Sequence, residues 1–179
     1  WQSIGGQTVG SIWGHGAYIA PDWNADYLHR ESEALLKIYA EEDGKVYSEL
    51  TEEEQAKYQV RLRKELRNNT FDEATGVITF SPERAKVAKE LADYYRRLFM
   101  NDPALKTTRV HYAIPDNAIK DEARMAQMSA FFTWTSWVCS TNRPGSDVTY
   151  TNNWPYDPVI GNHPSTSLQM WSGFSVLML

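Results

Sequence analysis

The chain has 179 residues, a formal net charge of -5, 42% apolar and 23% charged residues. That balance supports one domain with an ordinary core and excludes a disordered polyelectrolyte, while the acidic surplus without a basic cluster speaks against DNA or RNA as a partner. Cys139 is the single cysteine, so no internal disulfide, no thiolate-rich zinc site and no covalently attached c-type haem can form.

The first segment, Gly5 to Tyr18, holds five of the ten glycines. Such density permits positive φ and close backbone approach, which predicts a tightly folded loop that can wrap a ligand, and not a helix. Asp22 then suits the start of a first helix, in which Tyr27, Glu31, Leu35 and Tyr39 recur at helical spacing until Asp43-Gly44. A second helix opens at Thr51, where Glu54 stands three residues on, as a capping box requires. Tyr58, Leu62 and Leu66 mark its buried stripe, and its charges run from Glu52, Glu53 and Glu54 to Arg61, Arg63, Lys64 and Arg67. Acid early and base late suits the helix dipole, and a solvated helix surface accounts for them. Residues 70–80 read as a small β-hairpin around Gly76. Ser81-Pro82 caps a third helix, with Ala88, Leu91, Tyr95 and Leu98 on one face, ending before Asp102-Pro103. A fourth helix is expected from after Ile114-Pro115-Asp116 to about Val138, and its aromatic end, 131–137, is expected to be well buried. From Asn142 onward the chain is rich in Pro and Asn and reads as irregular.

Seven Trp and ten Tyr cluster toward the two ends of the chain. They form either an ordinary aromatic core or a surface at a membrane interface, where side chains with one apolar and one polar end are favoured. Residues 171–179 are uncharged and mostly apolar, and too few to cross a bilayer, which takes about 20 residues. They read either as the first turns of a transmembrane helix or as a buried terminal segment, and the Asn153-Trp154-Pro155 approach favours the helix. The start at Trp1, without Met or signal peptide, reads as excision from a longer chain.

No self-contained catalytic pattern emerges. His15, His29, His111 and His163 are scattered, and no His-Glu-x-x-His helix, nucleophile elbow or phosphate-cradling loop is present. His29 reads as a surface residue and His163 as a turn residue. His15, bracketed by glycines and flanked by Trp13 and Tyr18, reads as a loop histidine that either bonds its own backbone or meets a ligand. Glu41, Glu42 and Asp43 read as a charged helix end in preference to a cation site.

The run from Trp1 to Trp23, with Gly14-His15-Gly16-Ala17-Tyr18-Ile19-Ala20-Pro21 at its heart, resembles the segment after the first transmembrane helix of quinol-dependent nitric oxide reductases. Leu28-His29-Arg30-Glu31, Arg67-Asn68-Asn69-Thr70, Arg143-Pro144-Gly145 and Thr149-Tyr150-Thr151-Asn152-Asn153-Trp154-Pro155 follow in the same order, so the resemblance covers nearly the whole chain. A fainter similarity links the Gly-x-Gly-Ala-Tyr-x-Ala-Pro run to the cytochrome c subunit of two-subunit nitric oxide reductases. By that similarity Gly6 and Val9 stand where the haem-linking cysteines would be, and Gly10 where the ligating histidine would be.

The resemblance implies a mainly α, cytochrome c-like helical domain over residues 1–170, with a small β-hairpin and a Gly-rich N-terminal loop, followed at 171–179 by the start of a transmembrane helix. It implies an extracytoplasmic, periplasm-facing domain that carries no catalytic residue, metal ligand or cofactor. Its partners would be the membrane part of its own polypeptide and, for the parent enzyme, membrane quinol. The parent, a haem-copper oxidase superfamily member of denitrification, would hold haem b, haem b3 and a non-haem iron on later helices and reduce two NO to N2O and water. Trp13, His15, Tyr18 and Trp154 are the residues expected to pack toward the membrane. Two rival readings are a ligand-sensing extracytoplasmic domain of a membrane receptor and a soluble domain that binds haem non-covalently through His15 or Met residues.

Overall fold

A computed structural model describes residues 10–16 and 20–178, with the backbone alone for 15 and 16. Gly6, Val9 and Tyr18, and the side chain of His15, lie outside the described residues.

Polar side chains start the helices by taking up backbone N–H groups that the first turn leaves without partners. In α1 (Trp23–Glu42) Asp22 accepts from Ala25 N at 3.2 Å, and α2 (Glu52–Arg67) has the expected Thr51–Glu54 capping box. After two short antiparallel strands, β3 (Phe71–Asp72) and β4 (Val77–Ile78), Ser81 caps α3 (Pro82–Phe99) by accepting from Arg84 N at 3.1 Å. A short α4 (Lys106–His111) precedes α5 (Glu122–Ser140), which Asp121 caps, and Ser165 caps α6 (Thr166–Leu177). Among the described residues the only other strands are β1 (Ser11–Ile12) and β2 (His15–Gly16), so the protein is mainly helical.

The core lies where α1, α3 and α5 meet, with α2 against α1 and α5. Aromatic rings fill its centre. Trp23, fully buried, stacks on Phe132 with ring centroids 5.8 Å apart and meets Tyr95 and Phe99 edge-on at 6.1 and 5.2 Å. Such offset and edge-to-face pairs add to the burial of area that large rings already supply. Polar ties also cross this core. Glu31 of α1, with Arg84 of α3 and Ser136 of α5, joins three helices. Glu65 of α2 accepts from the hydroxyls of Tyr39 on α1 and Ser81 at the start of α3.

Several expectations need correction. The fourth helix expected from sequence begins only at Glu122, because Asn117 takes positive φ (51°) and the capping side chain is that of Asp121. Ala88 is only half-buried, and Val87 and Phe99 share the inner face of α3 with Leu91, Tyr95 and Leu98. The aromatic end of α5 is split. Phe132 and Trp137 are buried, but Trp134 stays 43% exposed.

The charges of α2 also do more than solvate it. Arg67 donates to the side-chain oxygens of Asn142, Asn153 and Asn162 at 2.9, 3.0 and 2.8 Å and to Gly161 O at 2.6 Å. Arg63 donates to the carbonyls of Pro158 and Val159 at 3.1 and 2.7 Å. The irregular stretch from 141 to 164 is thus held against the C-terminal end of α2 by fixed guanidinium donors, which suit several acceptors at once. Burial, and then the neighbouring Arg63, lower the pKa of Arg67 from its ordinary value. Beyond this stretch, α6 projects with almost every residue exposed and none charged.

Candidate functional site

Asp22 and Asn24 build the N-terminal hairpin. Asp22 Oδ2 accepts from Ser11 Oγ at 2.8 Å and Gly14 N at 2.5 Å, while Asn24 Oδ1 accepts from Trp13 N at 2.6 Å. One end of α1 therefore dictates the shape of the glycine-rich loop. The turn between β1 and β2 places both Trp13 (φ 54°) and Gly14 (φ 77°) in the left-handed region, as a two-residue turn matching the strand twist requires.

This turn brings together two of the four residues expected to face the membrane. The indole of Trp154 lies over Gly14, 3.6 Å from where a Cβ would stand, and Trp13 meets Trp134 edge-on at 5.7 Å. Phe131 stacks on Trp134 at 6.1 Å. The sequence shows the aromatic run on α5 but does not single out Trp134 and Phe131 as interface residues. What it lacks is the turn that brings Trp13 to them.

Beneath this cluster sits Cys139. Asn24 Nδ2 donates to its Sγ at 3.3 Å, and Thr151 and Trp13 also present polar side-chain atoms to the sulfur. Its carbonyl accepts from Asn162 Nδ2 at 3.0 Å. The cysteine thus joins the hairpin, α1, α5 and the C-terminal stretch. Burial pushes its thiol pKa up to about 12, and a protonated, enclosed thiol is a poor nucleophile. The native protein at pH 8 is therefore expected to resist alkylation by iodoacetamide and to be labelled only on unfolding, a difference that mass spectrometry reads directly.

The remaining candidates stay apart. His29 lies on the surface 3.6 Å from Glu33, His111 is exposed at the end of α4, and His163 is exposed beside Tyr156, with ring centroids 5.4 Å apart. Glu42 pairs with Arg61, and Asp43 accepts from Lys57 Nζ at 2.7 Å and Tyr58 Oη at 2.8 Å, so these carboxylates are engaged by cations of the chain itself. Among the described residues no three His, Cys, Asp or Glu side chains gather in a group that could hold a metal.

Residues 1–156 match the family model for the NorB cytochrome c-like domain of nitric oxide reductase. The chain belongs to that family. Among curated proteins, no relative matches.

A cytochrome c-like domain raises the question of haem c, and the residues of this NorB domain do not fit one. With one cysteine in the chain, two thioether links cannot form. At Gly10, aligned by resemblance with the ligating histidine, φ is 140° and an added Cβ would stand 2.0 Å from Trp23 Nε1 and 2.8 Å from Pro21 O. The backbone there presses directly on the central tryptophan of the core. Any side chain, let alone an imidazole, has to displace that indole.

Proposed function

We propose that this nitric oxide reductase domain is the extracytoplasmic part of a quinol-dependent enzyme, lying on the outer face of the cytoplasmic membrane and covering the membrane part of its own polypeptide. It holds no haem, and it contributes shape and stability and not chemistry. Haem b, haem b3 and the non-haem iron belong to the parent enzyme's membrane helices, where two NO become N2O and water. The observation that carries this reading is the contact of Gly10 with Trp23, which fills the core with indole on the side where a haem ligand would enter. An electron entering such an enzyme needs another donor, and membrane quinol is the donor the family resemblance supplies.

Attachment to the membrane is supported by α6. No helix among the described residues is long and apolar enough to cross a membrane. Yet α6 is uncharged and exposed, with Trp171 71% and Leu177 82% accessible. Met170, Trp171, Phe174 and Leu177 recur at helical spacing, and an exposed apolar stripe of that kind is ordinarily covered by protein or lipid. Residues 171–179 are then the part that enters the membrane region, as an extension of a helix that begins at Thr166, and residues 1–170 the body outside it.

In the full-length reductase, Trp13→Ser and Trp154→Ser are expected to lower the yield of assembled enzyme or raise the KM for quinol, with the haem content per assembled enzyme unchanged. Unaltered assembly together with unaltered quinol kinetics would show that this face has no such role.

A further inference from the structure

From Met125 to Ser140, α5 carries no charge. Its inner face is core, and on its outer face Ala126 and Ala130 are exposed beside Gln127 and lead to Trp134 one turn on. Phe131 and Trp13 flank Trp134, and Trp154, itself 40% exposed, continues the surface across Gly14. This surface runs toward the root of α6. Asn153, next to Trp154, donates through Nδ2 to His163 O at 3.3 Å, two residues before the cap of α6 at Ser165. An uncovered aromatic face on the body and an uncovered apolar helix are thus joined through one hydrogen-bonded stretch.

We infer that the Ala126–Ala130–Trp134 face of α5, with Trp13 and Trp154, is a lipid-contacting surface that seats the domain at the headgroup level of the bilayer into which α6 leads. The inference rests on the membrane reading above and names the partner of the aromatic face. Exposed indoles such as those of Trp134 and Trp154 favour the boundary between headgroups and acyl chains, whereas the N–H of Trp13 is buried. The chain is acidic overall, with a net charge of -5, and the basic Lys89 and Arg96 that line the groove at Ala126 and Ala130 stand beside the acidic Asp93 and Glu122. The attraction is therefore apolar and aromatic, and anionic headgroups do not strengthen it.

The test uses the whole 179-residue chain with phosphatidylcholine vesicles. Ala130→Cys, exposed and nearly isosteric, is labelled with the environment-sensitive fluorophore NBD, the buried Cys139 staying unmodified, and Val60→Cys on the outer face of α2 serves as control. Vesicles are expected to shift the emission of the Ala130→Cys probe to the blue, with quenching by lipids spin-labelled near the headgroup, and to leave the Val60→Cys probe unchanged. Trp134→Ser is expected to weaken vesicle partitioning roughly three- to tenfold, the loss of most of one indole's burial. Partitioning onto vesicles containing phosphatidylglycerol should not exceed that onto phosphatidylcholine.

If the chain sediments with vesicles while the Ala130→Cys probe stays aqueous, α6 alone holds the membrane and the lipid-contacting face is wrong. Absence of any vesicle association overturns both the face and the membrane reading of α6. A blue shift that grows with protein concentration in the absence of lipid assigns the face to a second copy of the chain and overturns the inference.

Discussion

Replacing Trp23 by Ala is expected to cost about 3–5 kcal/mol of folding stability, the range for truncating a large buried aromatic side chain. Trp23 is fully buried and touches rings from α3 and α5 and Tyr112 beyond α4, so no neighbour can collapse into its place without loosening another. Gly10→Ala is expected to cost about 2–4 kcal/mol, from left-handed backbone strain together with overpacking against the same indole. The combination discriminates between the two causes. Removing the indole relieves the overpacking at Gly10 but not the strain, so the double variant should be more stable than the sum of the single losses predicts. Urea midpoints at constant m-value give all three numbers. Strict additivity would mean that the two residues do not press on each other.

A comparable loss, about 3–5 kcal/mol, is expected for Glu31→Ala, because it strands a buried cation. Arg84 is 3% exposed and Glu31 wholly buried, with Nε donating to Oε1 at 2.7 Å and Ser136 Oγ donating to Oε2 at 2.9 Å. Removing the carboxylate leaves a guanidinium enclosed by α1, α3 and α5 with its main partner gone. Glu31→Gln, which keeps an acceptor oxygen but no charge, should lose less. Replacing both members, Glu31→Leu with Arg84→Met, should recover most of the loss, since an apolar pair of similar volume carries no desolvation cost. Thermal and urea unfolding of the four proteins decide this. A Glu31→Ala variant within about 1 kcal/mol of the native chain would show that the pair is not isolated from water.

Much of this is legible in the sequence, for local reasons. The caps at Asp22, Thr51 and Ser81 and the stripes of α1 and α2 are set within three or four residues of each other, and each element starts where those residues stand. Even Glu31 is visible on the stripe of Tyr27, Leu35 and Tyr39. Its partner is not, because Arg84 stands 53 residues away and nothing local marks it. The same limit hides Arg67. A basic residue in the last turn of a helix satisfies the dipole, so the sequence offers no reason to suspect that its guanidinium holds a stretch more than 70 residues further along. The start of α5 is missed although two local signals mark it, Asn117 at positive φ inside the expected helix, a conformation that Asn favours, and Asp121 at the N-cap.

The candidate surface divides in the same way. Trp13 and Trp154 are candidates through the family resemblance, with composition leaving an aromatic core and an interface both open, whereas their gathering around Gly14 and Trp134 follows from the hydrogen bonds of Asp22 and Asn24 to the hairpin. His15 and Tyr18 lie in the part of the loop where their side chains are not described. Cys139, whose solitude in the sequence only rules out chemistry, is the sulfur on which hairpin, helix and C-terminal stretch converge.

The central claim is a cytochrome c-like fold whose interior is closed around Trp23 and takes no haem. Titrating the purified chain with haem and recording the absorption spectrum tests it most directly. The expected result is the broad spectrum of free haem, with no shifted Soret band up to a twofold excess, roughly the point at which any tight site is saturated. A sharp, shifted Soret band that saturates at one haem per chain would contradict it.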